Sequence, residues 1–387
     1  MPLSASLPRD RVELAGVGAL LGVAATMQFS IAAAQILLAV AALCWLGLHI
    51  SRAERLEAPA FFWPLAAYAA LTLLSAGFSA DPAISVVDCK QLFLLLLIPI
   101  VYDFARGERA DTVLSVIISV GAASAFIGIV QYGVLNYDNL GRRTQGTLSH
   151  WMTYSGTLML VICASVARLL YGSRERLWAA LVLPALLVSL ALTLTRGAWI
   201  GAAAGTAVLF VIKDVRLTAL IPLAAAVVLV VAPQELTDRV NSIGDMNDPT
   251  TRDRVAMLQA GVAMVRDHPL TGVGPDMVGP LYPDYRTAAA VQAHNPHLHN
   301  VPMQVAAERG LPALAAWTAF VGAALWGLWR LRRYSGVRPL AAAGLGAMVA
   351  MLAAGMSEYN FGDSEFLMLL LVLVTLPFAA ARDRRPA

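Results

Sequence analysis

Residues 365–381 read EFLMLLLVLVTLPFAAA, and Arg382, Arg384 and Arg385 follow directly. An apolar run of this kind, wound as a helix, crosses the hydrocarbon core of a bilayer, and the arginines behind it mark the face where it stops. Working outward, similar runs occur at 13–29, 31–50, 60–78, 88–104, 112–135, 152–170, 177–195, 198–212, 217–232, 311–329 and 339–356. The composition agrees. With 58% hydrophobic residues, 14% charged residues and a mean hydropathy of +0.67, too little polar surface exists to cover a water-soluble body of 387 residues. The expected fold is all-α, a polytopic membrane bundle of about 12 transmembrane helices, forming one transmembrane domain over 1–387.

Basic residues set the expected orientation, because short cytoplasmic loops retain Lys and Arg. With both termini cytoplasmic, the inner segments hold Arg9 and Arg11, Arg52 and Arg55, Arg106 and Arg109, Arg168, Arg174 and Arg176, Lys213 and Arg216, Arg330, Arg332, Arg333 and Arg338, and the arginines after 381. Lys90, Arg142, Arg143, Arg196, Arg239, Arg252, Arg254, Arg266, Arg286 and Arg309 fall outside, and these are the cations that need a job. The first run lacks a small-residue cleavage site and reads as a retained span. Cys44, Cys89 and Cys163 lie in or at the end of spans, with no disulfide framework or CxxC pattern. A net charge of +3 with its excess on one face reports insertion topology, not nucleic-acid binding.

The segment 233–300 is the one long outer excursion, between the ninth and tenth runs. Its start, with Asn241, Asp245, Asn247 and Asp248, is polar and irregular. Val255, Leu258, Val262 and Val265 then give an amphipathic helix from about Arg252 to Asp267, suited to lie on the membrane or cap the bundle. Pro269 stops it, and Gly272-Val273-Gly274 makes a tight turn. Gly197, Gly201 and Gly205 form a small-residue stripe that permits close helix packing in lipid.

The excursion ends in His294-Asn295-Pro296-His297-Leu298-His299-Asn300, three of the six histidines of the chain, followed by Gln304, Glu308 and Gly310. No acidic residue lies between 285 and 307, which disfavours a metal set. Imidazole, with an ordinary pKa of about 6.5, is a natural general base for a hydroxyl; the blander reading is that these histidines anchor the loop at the interface. Arg196, Arg254 and Arg286 stand on three outer elements, and their planar forks suit phosphate oxygens. Arg142 and Arg143 form a further outer basic pair. Tyr282, Tyr285, Trp151 and Trp199 are able to stack on sugars or to form an interfacial belt. Gln304 and Glu308 are placed to orient an imidazole or bind sugar hydroxyls, and Glu358 and Asp363 are alternative carboxylate partners for His299.

The set Thr195-Arg196-Gly197-Ala198-Trp199, Arg254 with the helix ending His268-Pro269-Leu270-Thr271-Gly272-Val273-Gly274, Tyr285-Arg286, and His297-Leu298-His299-Asn300 with Gln304, Glu308 and Gly310 resembles the bacterial O-antigen ligase and O-antigen polymerase superfamily. Ala313 stands where the ligase pattern has a second glycine. The resemblance implies the bundle of a type C-like glycosyltransferase in the bacterial inner membrane, with a periplasmic active site. It implies His299 as catalytic base, and Arg196, Arg254 and Arg286, with His297, Gln304 and Tyr285, as substrate-binding residues. The implied donor is an undecaprenyl-diphosphate-linked glycan and the implied acceptor lipid A-core, within membrane lipids and without metal or other cofactor. Because the sequence stops soon after the twelfth run, a ligase is expected over a polymerase with the same donor. A polyprenyl-lipid transporter is the non-enzyme alternative, and it requires ionisable residues at mid-membrane or paired broken helices.

Overall fold

The computed structural model describes residues 11–52, 55–172, 175–230, 234–243, 245 and 248–382; Arg9, Arg174, Asn247, Arg384 and Arg385 lie outside them. The chain is all-α apart from a two-residue ladder, Asp138–Asn139 with Arg142–Arg143. Its helices are α1 (Arg11–Thr26), α2 (Ile31–Arg52), α3 (Phe62–Gly77), α4 (Pro82–Asp88), α5 (Leu97–Phe104), α6 (Arg109–Leu135), α7 (Trp151–Tyr171), α8 (Arg176–Leu192), α9 (Arg196–Lys213), α10 (Leu220–Val230), α11 (Gln234–Asn241), α12 (Pro249–Asp267), α13 (Val278–Tyr285), α14 (Val301–Leu331), α15 (Arg338–Ala354) and α16 (Ser364–Arg382). Every apolar run falls on one of them. Among the described residues seven segments are long and apolar enough to cross a membrane, and α3, α8, the 215–227 segment and α15 are shorter apolar helices. The run at 88–104 departs from a simple span: Cys89–Leu96 is a 3-10 helix between α4 and α5.

The bundle centre is α7, α15 and α16, whose side chains are buried on nearly every face. Lipid tails are as apolar as leucine, so close fit rather than hydrophobicity must hold helices together here. The glycine stripe of α9 supplies that fit: a Cβ at Gly205 would meet the Gly346 carbonyl of α15, and one at Gly201 the Ala350 carbonyl.

Charge sorts to the two ends. Arg52 and Arg109 pair with Glu13, Arg106 and Arg382 with Asp103, and Arg168 with Glu175, tying together the end expected to carry the inner loops. The opposite end carries the long excursion.

One break in α14 organises that excursion. Gly310 has φ 82 and ψ 170, and Pro312 follows two residues later. Proline lacks an N–H and its ring crowds the carbonyl four residues back, so the Glu308 carbonyl is released. It accepts from the Gly274 N–H and from Ser75 Oγ, both at 2.9 Å. The Ala307 carbonyl, freed because the Leu311 N–H turns to Pro269, accepts from Val273. The Gly272–Gly274 turn is thus docked on the broken helix, and Ala313 beyond the break is fully buried.

The amphipathic helix begins earlier than expected, at Pro249, because Asp248 caps it by accepting from the Thr250 and Thr251 N–H groups and proline suits the first helical position. Its packed face also differs. Val255 and Val262 are exposed, while Asp253, Ala256, Met257, Ala260 and Met264 are buried, the last three against α13, α14 and Leu298.

Gly310→Ala puts an L side chain at positive φ and against the Leu270 carbonyl oxygen. It should cost roughly 1–3 kcal/mol, read as a lower melting temperature in detergent. Gly18→Ala, where nothing lies within 4 Å of the new Cβ, should melt like wild type; equal melting of the two variants would overturn the account of the break.

Candidate active site

The excursion folds over the bundle end where α7, α9 and α14 start and α15 stops. His299 sits just before α14 in the left-handed region, φ 49, a conformation that costs a non-glycine residue about 1 kcal/mol. Its neighbours hold it there. The Leu298 N–H donates to Gln304 Oε1 at 2.6 Å, and Gln304 Nε2 donates to Glu308 Oε1. On the other side Asn300 caps α14 by accepting from the Met303 N–H, while its Nδ2 donates to the Met356 carbonyl. The Val301 N–H adds a 2.7 Å bond to the Gly355 carbonyl. These bonds bring the 355–359 loop beside the histidine.

Glu358 on that loop lies with Oε2 2.9 Å from His299 Nδ1 and accepts from Arg254 Nη2 through Oε1 at 2.8 Å. Burial alone would raise this carboxyl, but the hydrogen bond to His299 and the charges of His299, Arg254 and His297 outweigh it and hold the carboxyl below its ordinary value. With Nδ1 committed to the carboxylate, the proton belongs on Nδ1 and Nε2 is left as the basic lone pair. His297 packs edge-on against His299, ring centroids 4.1 Å apart, and its Nδ1 is buried without a partner. Burial and the adjacent His299 push His297 down to about 4, so it stays neutral near pH 7. Next to Arg254, Asp253 accepts from the Val291 and Gln292 N–H groups and from Asn295 Nδ2, fixing the loop that leads to the histidines.

A cluster of arginines surrounds this pair. Arg196 is buried at the start of α9 and donates to the Ser242 carbonyl at 2.7 Å, to Ser242 Oγ and to Asp248. Arg239 on α11 is pushed down to about 10 by burial and then by Arg196 and Arg143, with a smaller push from Arg254. Arg143 lies over the Trp151 ring; burial pushes it down, Glu358 opposes that and Arg196 adds to it. Among the described residues Asp248 pairs with Arg196 and Glu358 with Arg254, while Arg143 and Arg239 show no ion pair, which leaves positive charge in a partly desolvated site. Such an excess favours an anion of opposite charge.

A cavity of about 70 Å³ below the cluster is lined by His150, Thr195, His297, Glu358 and Asp363, room for roughly two waters. Thr153 donates to Asp363 at 3.1 Å. Among the described residues no three His, Cys, Asp or Glu side chains converge as a metal set.

The site brings together His299, His297, Arg196 and Arg254. Arg286 is exposed past the end of α13, with Tyr282 as its electrostatic neighbour. Tyr285 donates to Asp267 at 2.9 Å and pins α13 to α12. Gln304 is buried under the histidine loop. Arg239 and His150 were not singled out by motif; for Arg239 the only signal is its place among outer arginines, and His150 gives none.

Residues 179–318 match the family model described as O-antigen ligase. No curated protein matches the chain.

Burial pushes Asp363 up from 3.8 to about 7, with Glu365 and Glu358 adding to it against the Thr153 hydrogen bond. A carboxyl raised in the fold stabilises it fully below the unfolded value and loses that contribution as pH rises through the folded one. The melting temperature of Asp363→Asn relative to wild type should therefore climb between pH 4 and 7 and level off above. A difference independent of pH would refute the burial of this carboxyl.

Proposed function

We propose, from the match of residues 179–318 to the O-antigen ligase family model, that the protein is a periplasm-facing glycosyltransferase that moves an O-antigen glycan from undecaprenyl diphosphate to lipid A-core. The observation that carries this reading is the His299–Glu358 pair at the mouth of a cluster of arginines with uncompensated charge. An acceptor sugar hydroxyl gives its proton to His299 Nε2 as its oxygen attacks the anomeric carbon. The bond from that carbon to the phosphate oxygen breaks on the opposite face, so the configuration inverts and undecaprenyl diphosphate leaves with the electron pair.

Glu358 keeps the imidazole in the useful tautomer and stabilises the imidazolium that forms, as a carboxylate does for histidine in hydrolase triads. Arg254 holds Glu358 and is a positioning residue. Arg143, Arg196 and Arg239 face the diphosphate and stabilise the charge that grows on it in the transition state. This electrostatic service needs no metal. A lipid-linked donor also fits a site built at the membrane boundary, since its polyprenyl tail remains in the bilayer while its diphosphate reaches the arginines.

Purified protein incubated with polyprenyl-diphosphate glycan and lipid A-core should yield glycosylated lipid A-core, and the yield should persist in EDTA. Longer polyprenyl-linked glycan with no lipid A-core product would instead make the enzyme a polymerase. In the same assay His299→Ala and Glu358→Gln should lower kcat by roughly 10²–10⁴ with the KM for donor little changed, whereas Arg143→Gln and Arg239→Gln should raise that KM. Wild-type turnover in His299→Ala would end the assignment of the base.

A further inference from the structure

The opposite end of the bundle holds a second concentration of positive charge that the transfer reaction does not use. A cavity of about 300 Å³ opens where α7, α9 and α14 end and α15 begins, lined by Tyr171, Lys213, Arg332 and Arg338 with Ile212 and Leu345 as apolar wall. Since α7 runs 21 residues from the candidate active site to this cavity, the two are about 30 Å apart along the helix.

The cations here are handled differently from their neighbours. At the same end Arg52, Arg106, Arg109, Arg168 and Arg382 each face a carboxylate. Lys213, Arg332 and Arg338 have none among the described residues. Lys213 Nζ lies 5.3 Å from the Tyr171 ring centroid, Arg332 lies 3.5 Å from that of Trp329, and Arg338 Nε donates to the Arg332 carbonyl at 3.0 Å. The nearest acid in sequence, Asp214, is taken up in capping the 3-10 helix after α9 through the Arg216 N–H. Arg332 Nε is buried with no acceptor. A buried donor without a partner costs free energy, and here it belongs to a guanidinium whose planar fork matches phosphate oxygens.

We propose that Lys213, Arg332 and Arg338 hold a phosphate group in this cavity, separate from the candidate active site. The Nη groups of the Arg332 fork take the phosphate oxygens, and Arg338 and Lys213 supply charge from either side. Exposed Val211 on α9 and Trp326 and Trp329 on α14 lie within the last few residues of helices leading into the cavity, where acyl chains of an anionic phospholipid would run beside a headgroup. A basic pocket between spans is a suitable receptor for such a headgroup; inorganic phosphate presents the same oxygens.

The full-length protein in neutral detergent is melted with added phosphatidylglycerol, phosphatidylcholine or inorganic phosphate, alongside Lys213→Gln and the double variant Arg332→Gln/Arg338→Gln. Phosphatidylglycerol should raise the wild-type melting temperature by about 3–5 °C, phosphatidylcholine should not, and the rise should shrink in Lys213→Gln and vanish in the double variant. A rise with phosphatidylglycerol alone assigns the phosphate to a lipid headgroup, and an equal rise with inorganic phosphate assigns it to the free anion. No rise with either, equal rises with both lipids, or a full rise in the variants would overturn the site. Lys213 is exposed, so its variant decides the matter even where the double variant fails to fold.

Discussion

The end of this protein that carries the long excursion depends on what happens to two carbonyls. In a setting with little water, a helix cannot break without new donors for the groups it releases. At Gly310-Leu311-Pro312 the chain breaks α14, and the donors arrive from a distant turn, Val273 and Gly274, and from Ser75 on α3. The same docking that satisfies the backbone joins the excursion to the bundle, and it fixes the first turns of α14, from which Asn300 and Gln304 grip the residues on either side of His299. Backbone accounting, rather than side-chain attraction, is what puts His299 at a defined place at the end of the helical bundle.

Electrostatics then separates two populations of charge within one end of the bundle. Glu358 is matched by Arg254 and His299 and stays ionised in spite of its burial. Arg143, Arg196 and Arg239 share one neighbourhood, and burial first, then the charges of Arg196 and Arg143, push Arg239 down. A fold tolerates that repulsion only if packing and hydrogen bonds such as those from Arg196 to Ser242 compensate for it. Under the proposed function, a diphosphate between these guanidiniums would relieve that repulsion.

Much of the fold was legible because a membrane imposes long apolar runs, and each run found its helix. The residues that failed to announce themselves did so for particular reasons. Val255 and Val262 drew attention as large aliphatics, yet α12 packs through Ala256, Ala260 and Met264, small or flexible groups that hydropathy underrates. Asp248-Pro249 was a helix start hidden in a stretch dense with turn residues. Around the site, His299, Arg196 and Arg254 stood in short motifs, Glu358 and Arg143 were legible only as loop candidates outside them, and Arg239 on α11 and His150 belong to no motif; the packing of α7, α9, α14 and α15 makes them neighbours. Spacing along a chain carries no information about such meetings. Tyr285 and Gln304 show the converse: adjacent in sequence to the motifs, they are spent on holding α13 and the histidine loop.

Asn300 touches both halves of the His299–Glu358 pair, capping the helix behind one and holding the Met356 carbonyl beside the other. The histidine and its carboxylate are thereby one mechanical part, fastened to the same helix end, while Arg196 and Arg239 ride on α9 and α11. A change that loosened this helix end would displace the histidine and the carboxylate together, whereas Arg196 keeps its own hold on Ser242 and Asp248.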